Sequence, residues 1–285
     1  MTENPAREML ARATAAQPPA RPSTRTVLAV AATVVAAAAA VTAVPAAAGA
    51  SGRAPAAVAA KHAPVLYVAN VNVQPTGTLT PISTATNKPG KAIKVGRLPD
   101  ALAVTPNGKT IYAANLVSNT VTPVATATNE PGAPIKVPPT PDIMAMTPNG
   151  RTLYVASQGP VRGSKDGPAS VTPISTATNT AGKPIKAGRG AYTEALTPDG
   201  RTLYVLNYGP GTVTPISTAT NTAGKPVTIG RHPIAIAFMP DGKTAYVANF
   251  DAYHRGTVTP FSTVTNTAGK PIRVGAGPIA LAIVP

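Results

Sequence analysis

The chain has 285 residues, with no Cys, no Trp, eight Tyr, three Phe and a formal net charge of +15. The missing Cys excludes disulfides, thiolate metal sites, a Cys nucleophile and a lipidated Cys, and it suits an oxidising compartment. The length allows one large domain or two small ones, and with so few rings a core must be filled by Ala, Val and Ile.

Residues 26–44, "TVLAVAATVVAAAAAVTAV", carry no charge, follow Arg21 and Arg25, and stop at Pro45. Small residues then stand at Ala46–Ala48 and Ala48–Ala50, so residues 1–50 read as a secretory signal with an A-x-A cleavage site. The run is also long enough to span a bilayer, and an uncleaved membrane tether is the alternative. Either way the remainder is expected outside the cytoplasm, secreted or at the cell surface. Residues 51–63, "SGRAPAAVAAKHA", form a flexible linker.

From residue 64 to 285 one pattern is written five times. It opens with "LYVAN" at Leu66, "IYAAN" at Ile111, "LYVAS" at Leu153, "LYVLN" at Leu203 and "AYVAN" at Ala245. A "TVTPISTATN"-like run follows, then a "GKPIKVGR"-like stretch, an Ala-rich apolar run, and "TPNG", "TPDG" or "MPDG". Each copy contains four short runs rich in β-formers, separated by turn signals. A helical repeat is excluded by the several Pro and Gly in each unit and by runs too short for helices. Four short antiparallel strands in about 42 residues describe a propeller blade. The expected fold is all-β, a β-propeller of five four-stranded antiparallel blades. We label the strands a to d from the axis outward. The chain enters at strand b, "VLYVAN", and leaves on strand a, "PIALAIVP". Pairing Ile279–Val284 with Val65–Ala69 would close the ring and remove an open edge.

These repeats resemble the YVTN-repeat β-propeller family of YncE-like exported proteins. The resemblance covers Val65 to Pro285 and implies the propeller fold. Family blades often read "VSVID" where this chain reads "VTPIS", and commonly number seven. Proline inside a paired strand removes a ladder hydrogen bond, so a break or bulge is expected in strand c of every blade.

From the Thr of "TP" in strand c to the next "LYVAN" motif is always 31 residues, whereas the b–c connection varies, giving 10, 7, 15, 7 and 10 residues from motif end to that Thr. In an antiparallel blade the b–c loops and d–a crossovers share one face of the disc. The insertion in "SQGPVRGSKDGPAS" and the longer "NFDAYHRGTV" therefore project from one face, which is free to carry specificity.

That face receives the candidate ligand-binding residues. Arg97, Arg189 and Arg231 occupy one aligned crossover position and could hold an anion in fork geometry. Arg162, Lys165, His254 and Arg255 lie in the two longer loops. Asp100, Asp142 and Tyr192 align at the start of strand a. Glu194 stands where other copies have Leu102, Met144, Ile236 and Leu281, a costly place for a carboxylate unless it is paired, and Arg189 is its expected partner. His232 belongs to the same face. Asn70, Asn115, Asn207 and Asn249 end the b strands and read as turn formers.

From residue 51 there are 21 Lys and Arg against eight Asp and Glu, a net +13. The bases are spread around the disc without the interleaved aromatics of a nucleic-acid binder, so no specific nucleic acid is expected. An exported cationic disc is expected to act as a monomeric binding or scaffold module for an acidic cell-envelope polymer or protein partner. The alternative is a propeller hydrolase or lyase, lactonase-like, with a metal at the channel mouth held from Asp100, Asp142, Glu194 and His232. No nucleophile motif, phosphate loop or cofactor fingerprint is present, and no cofactor is expected.

Overall fold

The computed structural model describes residues 63–71, 76–159, 168–251 and 255–284. The expected signal or tether, most of the linker, and Arg162, Lys165 and His254 lie outside the described residues.

Among the described residues the structure is all-β and forms five antiparallel sheets. The first contains β1 (Val65–Asn70), β2 (Thr78–Ser83), β3 (Lys88–Pro89) and β4 (Ile93–Lys94). The second shows the full blade: β5 (Pro99–Val104), β6 (Thr110–Asn115), β7 (Thr120–Ala125), β8 (Glu130–Pro131) and β9 (Ile135–Lys136). In it β5 pairs β6, β6 pairs β7, and both β8 and β9 pair β7. The next three sheets repeat this order, with innermost strands Pro141–Met146, Ala191–Leu196 and Pro233–Phe238.

The proline-linked break falls on strand d, not on strand c as the sequence predicted. Strand c stays continuous, with Pro123 in register with Tyr112 and Pro215 with Tyr204. The reason is the side to which the proline points. The carbonyl of Pro123 accepts from Gly132 N–H at 2.8 Å, and that of Pro215 from Gly224 N–H at 2.8 Å, both in the outer segment. A strand residue directs its N and its carbonyl to the same side, so the missing donor faces strand d and the b–c ladder is untouched. The outer strand splits into two short pieces, which leaves little edge for unwanted pairing.

Packing runs between consecutive blades in chain order. Alternate residues of each strand face opposite neighbours. Tyr112, Ala114, Val121 and Ile135 of the second blade meet Leu153, Val155 and Ile174 of the third. Tyr154, Ala156 and Val171 of the third meet Leu203, Val205 and Ile216 of the fourth. Tyr204, Leu206 and Val213 of the fourth meet Ala245, Val247 and Phe261 of the fifth. Each fully buried Val or Leu contributes roughly 1.5–3 kcal/mol.

A polar joint accompanies each of these interfaces. The strand b tyrosine of one blade donates its hydroxyl to the turn asparagine of the next: Tyr67 to Asn129 at 2.6 Å, Tyr112 to Asn179 at 2.7 Å, Tyr154 to Asn221 at 2.7 Å and Tyr204 to Asn266 at 2.8 Å. These asparagines hold φ between 52° and 59°. That left-handed conformation is one Asn tolerates better than most residues, which is why "TATN" ends as it does. Burial of Tyr154 and Tyr204 pushes their hydroxyls up to about 12, so they remain donors.

At the two ends of the array the pattern stops. β1 pairs only with β2, and Ile279–Val284 forms no strand. Leu66 and Val68 on the first blade are exposed, as is Ile272 on the fifth.

Candidate functional site

Two connection types define each face of the disc. The a–b and c–d turns lie together: Thr126 N–H donates to Lys109 O at 3.0 Å and Thr126 Oγ1 to Gly108 O at 2.6 Å. The b–c loops and d–a crossovers lie at the other end, where Leu116 N–H donates to Leu98 O at 2.9 Å and Phe250 N–H to His232 O at 2.9 Å. The length-variable connections therefore share one face, as their spacing predicts.

Each crossover turns through one residue in the left-handed region, Leu98, Thr140, Gly190, His232 or Gly277, with φ between 51° and 62°. Glycine suits this conformation; Leu98, Thr140 and His232 hold it under strain because hydrogen bonds fix the crossover. Thr140 Oγ1 donates to Gly159 O at 2.8 Å. Such rigidity places the preceding residue, which is Arg97, Arg189 or Arg231, at a constant point on the rim, and all three are exposed. Arg255, also exposed, lies in register opposite Ala276, the residue that takes the arginine position in the fifth blade. The structure thus brings a fourth arginine to the rim from a different strand.

Inside the rim, Tyr192, Tyr208 and His232 form a column. The Tyr192 and Tyr208 rings are 5.3 Å apart, and His232 stacks on Tyr208 at 4.4 Å with an 18° tilt. Sequence reasoning missed Tyr208. The signal was available, since the residue after the "LYVAN" motif is Val71, Leu116, Gln158, Tyr208 or Phe250, different in every copy.

Beside this column Gln158 Nε2 donates to Asp142, which is half-buried. Glu194 is only 6% exposed and both carboxylate oxygens lack a hydrogen-bond partner among the described residues. Burial pushes its carboxyl well above the usual carboxylate range, and the Asp142 charge pushes it further; the nearby Ala145 amide opposes them only weakly. The charge acting on Glu194 is therefore Asp142, and the expected pairing with Arg189 is corrected: Arg189 points outward in register with Pro168. Asp100 is solvent-exposed, with its carboxyl raised by partial desolvation. No group of three His, Asp or Glu residues able to hold a metal ion occurs among the described residues.

The strand b asparagines are also corrected. Asn115, Asn207 and Asn249 are buried, and each Nδ2 donates to two strand c threonines, as Asn115 does to Thr120 at 3.2 Å and Thr122 at 2.9 Å. They clamp strand b to strand c instead of forming turns. Each presses on a glycine of the preceding blade: a Cβ on Gly96, Gly188 or Gly230 would lie 2.6–2.8 Å from its nearest atom on Asn115, Asn207 or Asn249. The third blade departs on both sides of this contact. Pro138 replaces the glycine and Ser157 replaces the asparagine. The Oγ of Ser157 and the Oγ1 of Thr172 are then buried with no hydrogen-bond partner among the described residues.

No family model matches this chain, and no curated protein matches it. Among solved structures it is similar to a chain of Kuenenia stuttgartiensis hydrazine synthase, with a TM-score of 0.58 and 23% sequence identity. The match covers 70% of this chain and 60% of that one. The likeness defines a class by fold alone, a propeller-like all-β array of five antiparallel sheets.

Proposed function

We propose that the chain is an exported, cell-surface or secreted binding module of the YVTN-repeat type, which reads its partner through the b–c/d–a face. The observation that carries this reading is where the repeats differ. Loop length, the Pro138 and Ser157 exchange, the Tyr192–Tyr208–His232 column and the Asp142–Glu194 pair all belong to that end of the blades. The opposite turns repeat almost unchanged. Four exposed arginines on the rim, Arg97, Arg189, Arg231 and Arg255, suit an acidic envelope polymer or an acidic protein partner by forked hydrogen bonds. Replacing Arg97, Arg189 and Arg231 by Ala is expected to weaken binding to purified anionic envelope polymer more than replacing Lys88, Lys183 and Lys225 does. Equal losses from the two variants would refute a dedicated face.

The reading includes a closed ring. Every internal joint leaves one unmatched counterpart at the ends. Tyr246 and Asn87 are the tyrosine and asparagine that complete no such bond among the described residues, and Gly275 is the crossover glycine with nothing within 4 Å of its missing Cβ. Asn70 is the clamp asparagine that would press on it. In the closed ring the fifth blade meets the first through these residues, and Ile279–Val284 serves as the innermost strand of the first blade.

A further inference from the structure

Counting acids as well as bases separates the two faces. In sequence the b–c loops, d–a crossovers and adjoining strand a positions carry Arg97, Arg162, Lys165, Arg189, Arg231 and Arg255 against Asp100, Asp142, Asp166, Glu194 and Asp251, a formal net +1. The a–b and c–d turns carry nine bases, Lys88, Lys91, Lys109, Arg151, Lys183, Arg201, Lys225, Lys243 and Lys270, all exposed, against Glu130, Asp199 and Asp241. That face holds a net +6. Four of the bases, Lys109, Arg151, Arg201 and Lys243, follow the turn glycine at the same place in successive blades, so the charge is laid out at regular intervals. The closest acid, Asp199, lies 3.8 Å from Arg201 with both side chains widely exposed, which neutralises little.

Two further observations give this charge a partner. Val65 and Val264 are exposed at the same end of the blades, so apolar side chains stand among the cations. The chain also arrives there: Thr84 N–H and Oγ1 donate to Pro64 O at 3.2 and 2.5 Å, the position that an a–b turn fills in other blades. In sequence the uncharged apolar run at 26–44 comes before this entry point.

We propose that the a–b/c–d face docks on an anionic lipid bilayer and leaves the recognition face directed away from it. Lysine and arginine near a bilayer gain from its negative surface potential, and Val65 and Val264 insert at the headgroup boundary. This inference does not depend on what the opposite face binds. The test uses the full chain with vesicles of phosphatidylcholine alone or containing phosphatidylglycerol. The readout is the difference in binding between the two, which removes any contribution of the apolar run. Lys109→Glu, Arg151→Glu, Arg201→Glu and Lys243→Glu together are expected to reduce that difference by more than about tenfold. Replacing Arg97, Arg189 and Arg231 by Ala should leave it unchanged. Should the quadruple variant unfold, Lys183→Glu, Lys225→Glu and Lys270→Glu on the neighbouring turns test the same face and should also reduce it. Undiminished preference for the anionic vesicles in a folded variant would overturn the proposal. So would complete displacement from vesicles by an equal charge concentration of soluble polyphosphate, which would assign the face to a polymer.

Discussion

Glu194 stands where other blades place Leu102, Met144 and Ile236, and its buried carboxyl lies near Asp142, with the Ala145 amide favouring its charged form. Its folded state keeps the proton at pH values where the unfolded chain has released it. The contribution of Glu194 to stability is therefore fully present below the ordinary carboxylate range and is lost as pH rises through its raised folded range. Glu194→Leu is expected to raise stability at pH 8 by roughly 1–3 kcal/mol. The gain should shrink toward pH 4, and urea unfolding at the two pH values measures both. If the variant binds its partner as well as the parent does, the carboxyl has no part in recognition. The position was legible in sequence as an odd acid in an apolar column. Its partner was not, because Asp142 reaches it from the adjacent blade and only packing brings the two together.

At the scale of strands, turn signals and β-rich runs were enough to place nearly every strand. Two details escaped. The direction in which Pro123 and its equivalents point depends on strand parity, so the chain pattern alone assigned the break to the wrong strand. The strand b asparagines look like turn residues because Asn is common in turns; their burial depends on a glycine one blade away. That contact gives a direct prediction. Gly96→Ala would put a Cβ 2.6 Å from Asn115 Cβ and Cγ. It should destabilise the protein by about 1–3 kcal/mol, the usual result of overpacking. Thermal unfolding reports it, and Asn115→Ser in the same chain should recover part of the loss, following the exchange that the third blade already carries.

For the molecule as a whole, Gly275 separates an open array from a ring. Gly275→Ala meets no atom within 4 Å in the structure and is neutral if the ends stay apart. In the closed ring it meets Asn70 and should cost about as much as Gly96→Ala. Deleting Gly277–Pro285 should likewise lower the unfolding temperature by far more than a tail truncation, because it removes the strand that covers β1. Unchanged unfolding in both experiments would establish the open form.

The tyrosine-to-asparagine joints run in one direction only, each blade reaching forward to the one that follows it. A chain that emerges with its N-terminus first therefore produces every donor before its acceptor. Each blade waits with an unmatched hydroxyl until some sixty residues more have appeared, and the most recent blade is always the loosest. Assembly becomes a ratchet, advancing one repeat at a time. Tyr246 is the last of the five tyrosines, and Asn87, its counterpart in the proposed closed ring, is the first of the asparagines. If the ring closes as proposed, the final step of folding joins the first and the last blades.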